Sequence, residues 1–136
     1  MPVIHFGTSS EYVKISLPPS FSTEAWLQVD VEIAVCGFQG RIEPWVEPTD
    51  FEAFTKQLRA LYDSLQGEAT LCPREGQFTI KLVCTPGGHI EVTGEAWSKA
   101  TYENKLEYVL QLDQSFLAAP LRDLEGLRAA AGNSVG

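Results

Sequence analysis

Residues 48–67 read PTDFEAFTKQLRALYDSLQG, and this segment predicts one helix. Thr49 and Glu52 have the spacing of a capping box at its start, and Gly67 can adopt the left-handed conformation that follows a helix end. Between them, apolar side chains recur every three or four residues and therefore share one face. These are Phe51, Phe54, Leu58, Leu61 and Leu65. This face needs an apolar surface to pack on, and the flanking segments offer sheet.

A hairpin is predicted immediately before the helix. Apolar and polar residues alternate from Trp26 to Val35, as in a strand with one buried face. A two-residue loop at Cys36-Gly37 would pair this strand with residues 38–47. The facing apolar pairs would be Val35 with Phe38, Ile33 with Gly40, Val31 with Ile42, Val29 with Pro44 and Leu27 with Val46. A slip by one residue would destroy every pair, so the register is specified. Pro44 cannot donate to a ladder, which favours an edge strand.

Further strands are predicted on both sides of this unit. Residues 12–17 alternate before a turn at 20–24, and residues 69–72 form a short strand after the helix. A second hairpin pairs 78–84 with 90–96 around the glycine-containing loop Pro86-Gly87-Gly88.

The C-terminal part continues with one strand and one helix. Residues 106–112 form the last strand after a loop near 100–102, and Leu121, Leu124 and Leu127 share one face of a helix that covers about 120–131. Between these two elements, Asp113 or Ser115 can cap the turn, and Phe116 and Leu117 can close the core.

The order of elements predicts an α+β fold. We expect an antiparallel sheet of six or seven strands in hairpins, with the central helix (about 50–66) and the C-terminal helix (about 120–131) packed on one face. The length of 136 residues suits one domain. We therefore predict a single domain at 1–131 and a flexible tail at 132–136.

Composition narrows the classes of function. Eighteen acidic residues against ten basic ones give a net charge of −8, which argues against binding to nucleic acid and favours a basic partner, although surplus acid also keeps proteins soluble. Cys36, Cys72 and Cys84 lack metal-site spacing and are interpreted as small buried hydrophobes. The chain shows neither a signal peptide nor a membrane-spanning segment, so we expect a cytoplasmic protein that does not bind membranes.

Alternation places one group of polar and aromatic side chains on the outward side of the first hairpin, and we call this group the acidic face. It consists of Trp26, Gln28, Asp30, Glu32, Arg41, Glu43, Trp45 and Glu47. On the second hairpin, Glu91 and Trp97 have the same parity. Tryptophan and arginine among carboxylates are typical of a protein-binding surface. The alternatives are an ordinary solvated sheet face, or tryptophans packed beneath residues 20–24 or the N-terminal strand. The predicted partner-binding residues are Trp26, Asp30, Glu32, Arg41, Glu43, Trp45, Glu91 and Trp97.

Catalysis has weaker support. Asp30 opposite Glu43 is a carboxylate pair that could raise one pKa and serve acid-base chemistry or bind a small ligand. No histidine, serine or cysteine on that face completes a nucleophile-base pair. His89 and Glu91 share a strand face, but two ligands fall short of a catalytic zinc site. No phosphate-binding loop is present. We therefore predict no catalytic residue, metal or cofactor.

Several short motifs, in order between about Ala25 and Leu127, resemble one protein family. They are Trp26-Leu27, Gly37-Phe38-Gln39-Gly40, Asp50-Phe51-Glu52-Ala53-Phe54, Leu65-Gln66-Gly67-Glu68-Ala69 and Asp113-Gln114-Ser115-Phe116-Leu117. Together they are similar to the WapI-type immunity proteins and related small bacterial proteins. The resemblance implies a cytoplasmic protein without enzymatic activity that binds and silences the toxic domain of a polymorphic toxin, often a nuclease. A basic toxin surface would match the acidic face.

Overall fold

The computed structural model describes residues 3–18, 26–99 and 103–135, with side chains as far as Leu127. The described part contains ten strands and two helices. In chain order, they are β1 (Val3–Gly7), β2 (Tyr12–Ser16), β3 (Leu27–Gln28), β4 (Asp30–Val35), β5 (Phe38–Ile42), β6 (Trp45–Val46), α1 (Pro48–Ser64), β7 (Gly67–Leu71), β8 (Phe78–Thr85), β9 (His89–Trp97), β10 (Lys105–Asp113) and α2 (Ala118–Val135). A short 3₁₀ turn, Gln114–Phe116, links β10 to α2. The turn predicted at 20–24 and the loop at 100–102 lie outside the described residues.

The strands form two antiparallel sheets rather than the predicted single sheet of six or seven strands. The first has the order β1-β2-β4-β5, the second has the order β10-β9-β8-β7, and β3 pairs with β6 in a separate ribbon. The α+β class is confirmed, but the strand arrangement was wrong. Both sheets and both helices contribute to one apolar core. The two sheets bury their inward side chains in this shared core, and the two helices cover the rest of it.

Both hairpin registers are confirmed. Val35 pairs with Phe38 and Leu27 with Val46, and the second hairpin pairs Cys84 with Ile90. The inward residues Val31 and Ile33 of β4 are buried and Val35 is partly buried, but Phe38 is 66% exposed because it lies beside the loop at the end of the hairpin. The alternation therefore predicted the facing residues correctly, while its core-facing assignment of Phe38 was wrong.

Helix α1 begins earlier than predicted. Glu47 and Asp50, not Thr49 and Glu52, form the capping box, and the Glu47 amide donates to Asp50 Oδ2 at 3.0 Å. Pro48 explains the shift, because proline at the first helical position leaves no unsatisfied amide proton and favours a start at that residue.

The end of α1 also differs. Gly67 has the positive φ that the sequence predicted, 89°, but the helix already ends at Leu65, and Gly67 begins β7. Leu65 itself adopts the left-handed conformation with φ 56° and ψ 36°, and its amide donates to the Leu61 carbonyl at 2.7 Å. Leu65 is 39% exposed because this turn rotates it away from the buried face. Its predicted place in the core was therefore wrong, whereas Phe51, Phe54, Leu58 and Leu61 are buried as predicted.

Strand β1 was not predicted, although its Ile4 and Phe6 are fully buried. The ring of Phe6 meets that of Phe54 edge-on, with centroids 6.1 Å apart, so α1 packs against the first sheet. Helix α2 packs against both α1 and β1. Its buried residues are Leu121, Leu124 and Leu127, as predicted.

Three smaller predictions need comment. The turn before α2 is capped by Asp113, whose Oδ1 accepts from the Ser115 amide at 2.8 Å, and Leu117 is buried, but Phe116 is 36% exposed. Cys36 and Cys72 are exposed rather than buried, since each lies at the end of a strand. Helix α2 runs to Val135, past the predicted end near 131. The predicted domain limits of 1–131 and the predicted flexible tail at 132–136 stay predictions.

Candidate protein-binding surface

The acidic face occupies the outward side of the first hairpin. The inward residues Leu27 and Val46 are buried, while their neighbours Trp26 and Trp45 are 39% and 44% exposed. Gln28 pairs with Trp45 in the β3–β6 ribbon, so the outward row continues from the first residue of β4, Asp30, back into β3. Strand alternation therefore presents both indoles to solvent beside the carboxylates. In the same row, Ala34 is buried, because this small side chain lies between the larger Tyr12 and Gln39 in the register.

Asp30 and Arg41 form the tightest charged contact on the acidic face. The Arg41 Nε donates to both carboxylate oxygens of Asp30, each at 3.0 Å, and Nη2 makes a further contact with Oδ2. This hydrogen bonding raises the pKa of Arg41 above its ordinary value. Asp30 is thus engaged by a cation rather than coupled to Glu43, which removes the main physical basis for the predicted acid-base pair.

Glu32 belongs to a second cluster on the same face. The Tyr12 hydroxyl donates to Glu32 Oε2, and Lys14 Nζ lies 3.8 Å from that oxygen. The hydrogen bond to Glu32 raises the pKa of Tyr12, with burial as a smaller cause. His5 stacks on the Tyr12 ring with centroids 5.1 Å apart. Sequence reasoning missed Tyr12 and Lys14, although the alternation of residues 12–17 already placed both on the outward side.

Two of the three tryptophans, Trp26 and Trp97, have a cationic side chain over the ring. Arg74 lies over the Trp26 ring with 5.8 Å between its guanidinium carbon and the ring centroid, and Lys105 Nζ lies 5.2 Å from the Trp97 centroid. Arg74 also pairs with Glu47 at 3.5 Å. The edge of the acidic face at Trp26 is therefore partly covered by a basic side chain from outside the first hairpin.

Glu91 and Trp97 lie on the second sheet. Both belong to β9, where Glu91 pairs with Gln111 of β10 and is exposed. Trp97 is partly buried, and its backbone amide donates to the Gln77 carbonyl at 2.8 Å. The structure thus brings together the six predicted residues of the first hairpin and places these two on a different sheet. Their membership in one binding surface stays a prediction.

The described residues supply no obvious metal site or membrane segment. No group of three or more potential ligands among histidine, cysteine, aspartate and glutamate is found in ranges 3–18, 26–99 and 103–135. Within the same ranges, no helix has the length and apolar character needed to cross a bilayer.

Comparison with models of protein families shows which family this chain belongs to. The model of the immunity protein WapI-like family matches residues 4–131. The chain belongs to this family. A search of curated proteins gave no match. Among solved structures, this WapI-like chain is similar to "Crystal structures of trypanosoma bruciei MRP1/MRP2", with 8% identity, a TM-score of 0.56 and coverage of 97% of this chain and 86% of that chain. At such low identity, the likeness concerns the fold alone.

Proposed function

We propose that this WapI-like protein binds the toxic domain of a polymorphic toxin and neutralises it by forming a stoichiometric complex. The family match over residues 4–131 carries the proposal. The toxic domain would have a basic surface, as expected of a nuclease, and the complex would form in the bacterial cytoplasm. Neither nucleic acid nor a membrane would be the primary partner, because the chain has a net charge of −8.

The acidic face supports this function through its composition. Exposed tryptophans supply large apolar contact areas of the kind that dominate binding energy at protein interfaces. The carboxylates of Asp30, Glu32 and Glu43 attract a basic partner, which speeds association at low salt. Since a toxin must be captured before it acts, fast association fits the proposed role.

The function needs no chemistry by this chain. Asp30 is held by Arg41, and Glu32 is held by Tyr12 and Lys14. Neither carboxylate is arranged as a free general base, so we propose a binding protein without enzymatic activity. The inhibition would instead come from covering the toxin surface.

The test uses the toxic domain encoded by the gene next to that of this protein. Co-expression should restore growth to cells that produce the toxic domain, and titration calorimetry should show a 1:1 complex. The Asp30→Lys/Glu43→Lys double variant should weaken binding at least tenfold while its unfolding midpoint changes little. A matched variant, Glu11→Lys/Glu52→Lys, makes the same change of net charge away from the acidic face and should bind nearly as tightly as the wild type.

Two outcomes would count against the proposal. Growth inhibition that persists despite expression of the folded protein would reject neutralisation of that toxic domain. Equal weakening by both double variants would show that binding depends on total charge rather than on the acidic face.

A second candidate function is the binding of a small ligand. It is favoured by a cleft of about 470 Å³ whose lining includes Asp30 and Glu43, a volume within the usual range for small-molecule sites. A metabolite screen by ligand-observed NMR would detect such binding. A saturable ligand whose contacts map to this cleft, without any effect on toxicity, would favour this function over the first.

A further inference from the structure

The cleft of about 470 Å³ lies on the outward side of the first sheet, next to the end of the β4–β5 ladder. Its lining includes the buried Leu17 and Val29, and the remaining walls are largely polar and charged. Beside the cleft, the ladder of the first hairpin is interrupted between β4–β5 and the β3–β6 ribbon, although both parts keep the same register. The Val29 amide donates to the Pro44 carbonyl at 3.0 Å, but Pro44 has no amide proton to return, so the regular ladder stops there.

The cations of the cleft are already engaged by two of its three carboxylates. Arg41 donates to both oxygens of Asp30 at 3.0 Å, and Lys14 lies 3.8 Å from Glu32. Each of these pairs is close to neutral as a unit. Their charges therefore offer little net attraction to a further ion.

Glu43 is the exception. Its backbone carbonyl accepts from Gln28 Nε2 at 3.1 Å, but its side-chain carboxylate makes no hydrogen bond or ion pair with any residue in the described part of the chain. Glu43 contributes to the raised pKa of Arg41, yet the guanidinium is bound to Asp30. The cleft consequently carries one uncompensated negative charge, at Glu43.

We propose that this cleft receives a lysine or arginine side chain from a surface loop of the toxic domain, with Glu43 as its counter-ion. The inference rests on the proposed function and names the group that the acidic face recognises. A guanidinium could bind the carboxylate of Glu43 through two hydrogen bonds. The alkyl part of the same side chain would lie along Pro18, which is partly exposed and lines the cleft.

The occupant is a protein loop rather than a free small cation for two reasons. The volume exceeds what one ammonium group needs and matches that of a larger ligand. Moreover, Trp45 follows Glu43 on the same outward row and is 44% exposed, so a protein loop that reaches Glu43 would also cover an exposed indole, which a small cation would not.

The first experiment tests the cation site without the toxin. N-acetyl-arginine methylamide, titrated in the millimolar range into ¹⁵N-labelled protein, should shift the amide signals of Val29, Asp30 and Glu43. The neutral N-acetyl-glutamine methylamide should not. In Glu43→Gln the response to the arginine probe should fall to that of the neutral probe, whereas Glu11→Gln should respond as the wild type does. Equal responses to both probes, or shifts that persist in Glu43→Gln, would overturn the proposal.

The second experiment measures the affinity of the neighbouring gene's toxic domain. Glu43→Gln should raise the Kd at least tenfold at 150 mM salt, and Glu11→Gln should change it less than twofold. A wild-type Kd retained by Glu43→Gln would reject the cleft as the recognition site while leaving the proposed function intact. Probe binding at the cleft, together with a toxic domain that the wild type does not bind, would instead reject the proposed function and show that a cation site exists on its own.

Discussion

The hydroxyl of Tyr108 donates a hydrogen bond of 2.8 Å to the carbonyl oxygen of Thr79, across the intervening strand β9. Tyr108 pairs with Gly94 in that strand, and Gly94 pairs with Ile80 of β8. The path of the phenol ring is open because Gly94 has no side chain. Tyr108 is only 3% exposed, so this polar contact lies within the core of the second sheet.

Gly94→Ala should therefore be strongly destabilising. A Cβ at this position would overlap both the Thr79 carbonyl and the Tyr108 hydroxyl. Overpacking of this kind costs about 1–3 kcal/mol, and the loss of the buried hydrogen bond adds to it. Urea unfolding should show the reduction in the free energy of unfolding. Gly126→Ala is the control: nothing lies within 4 Å of the added Cβ, and alanine should stabilise α2 by about 0.5–1 kcal/mol. Equal stability of the two variants would contradict the packing argument.

Tyr108→Phe should change how stability depends on pH. Burial raises the pKa of Tyr108 above its ordinary value of 10.0. Above pH 10 the unfolded chain releases this proton while the folded protein keeps it, so the free energy of unfolding should decrease with a slope of up to about 1.4 kcal/mol per pH unit from this group. Phenylalanine removes that contribution, and also costs about 1 kcal/mol at neutral pH. Unfolding curves at pH 8 to 11 check both effects, and parallel pH profiles for the two proteins would refute the first.

Leu65→Gly should stabilise the protein. The left-handed conformation costs a residue with a side chain roughly 1–2 kcal/mol, and glycine avoids this cost. Glycine loses more chain entropy on folding and gives up the part of the leucine that is buried, so we expect a net gain of about 0.5 kcal/mol. The midpoint of thermal unfolding should rise by a few degrees. Gly67→Ala, at φ 89°, should lower it, and a loss of stability in Leu65→Gly would mean that its apolar contacts outweigh the backbone strain.

Glu125→Gln should weaken acid sensitivity. Glu125 of α2 accepts from Arg59 Nε of α1 at 3.0 Å, and this hydrogen bond lowers the pKa of Glu125 below its ordinary value of 4.5. The contact therefore contributes fully above pH 4.5 and is lost as the pH decreases through the lower pKa of the folded state. The variant should be less stable at pH 7 and lose less stability between pH 5 and 3. Because the pair is exposed, 1 M salt should reduce the difference at pH 7.

Trp45→Ala should weaken the proposed binding of the toxic domain more than Trp97→Ala does. Trp45 is 44% exposed beside Glu43, whereas Trp97 lies on the second sheet under Lys105. Truncation of an exposed indole at the centre of an interface typically costs 2 kcal/mol or more, about thirtyfold in Kd. Titration calorimetry of both variants would measure the difference. Equal losses would extend the binding surface to both sheets, and a larger loss for Trp97 would move it to the second sheet.

Local pattern predicted much of this fold. Alternation of apolar and polar residues gave both hairpin registers, since each loop fixes which residues face each other. It also separated Leu27 and Val46 from Trp26 and Trp45. The ends of α1 were less accurate because two candidate caps lie close together, and the tertiary structure favours Glu47 and Leu65 over Thr49 and Gly67.

Long-range arrangement could not be predicted from the same pattern. Nothing in residues 3–7 indicates that they pair with β2, and alternation does not reveal which strand ends a sheet. The division into two sheets therefore went unpredicted, and with it the separation of Glu91 and Trp97 from the first hairpin. The Asp30–Arg41 contact was missed for a related reason: parity identifies a shared face, but side-chain length and rotamer decide which charges meet.

Burial alternates along residues 27–33 and 41–46 of the first hairpin, so the two sides of this part can change independently. Inward residues such as Val31 and Ile33 determine packing, while the side chains between them touch solvent and could be exchanged without disturbing the interior. An evolving toxin could thus be followed by substitutions on one side of a single β-ribbon. Under the proposed function, grafting that outward row between relatives would change which toxic domain is bound.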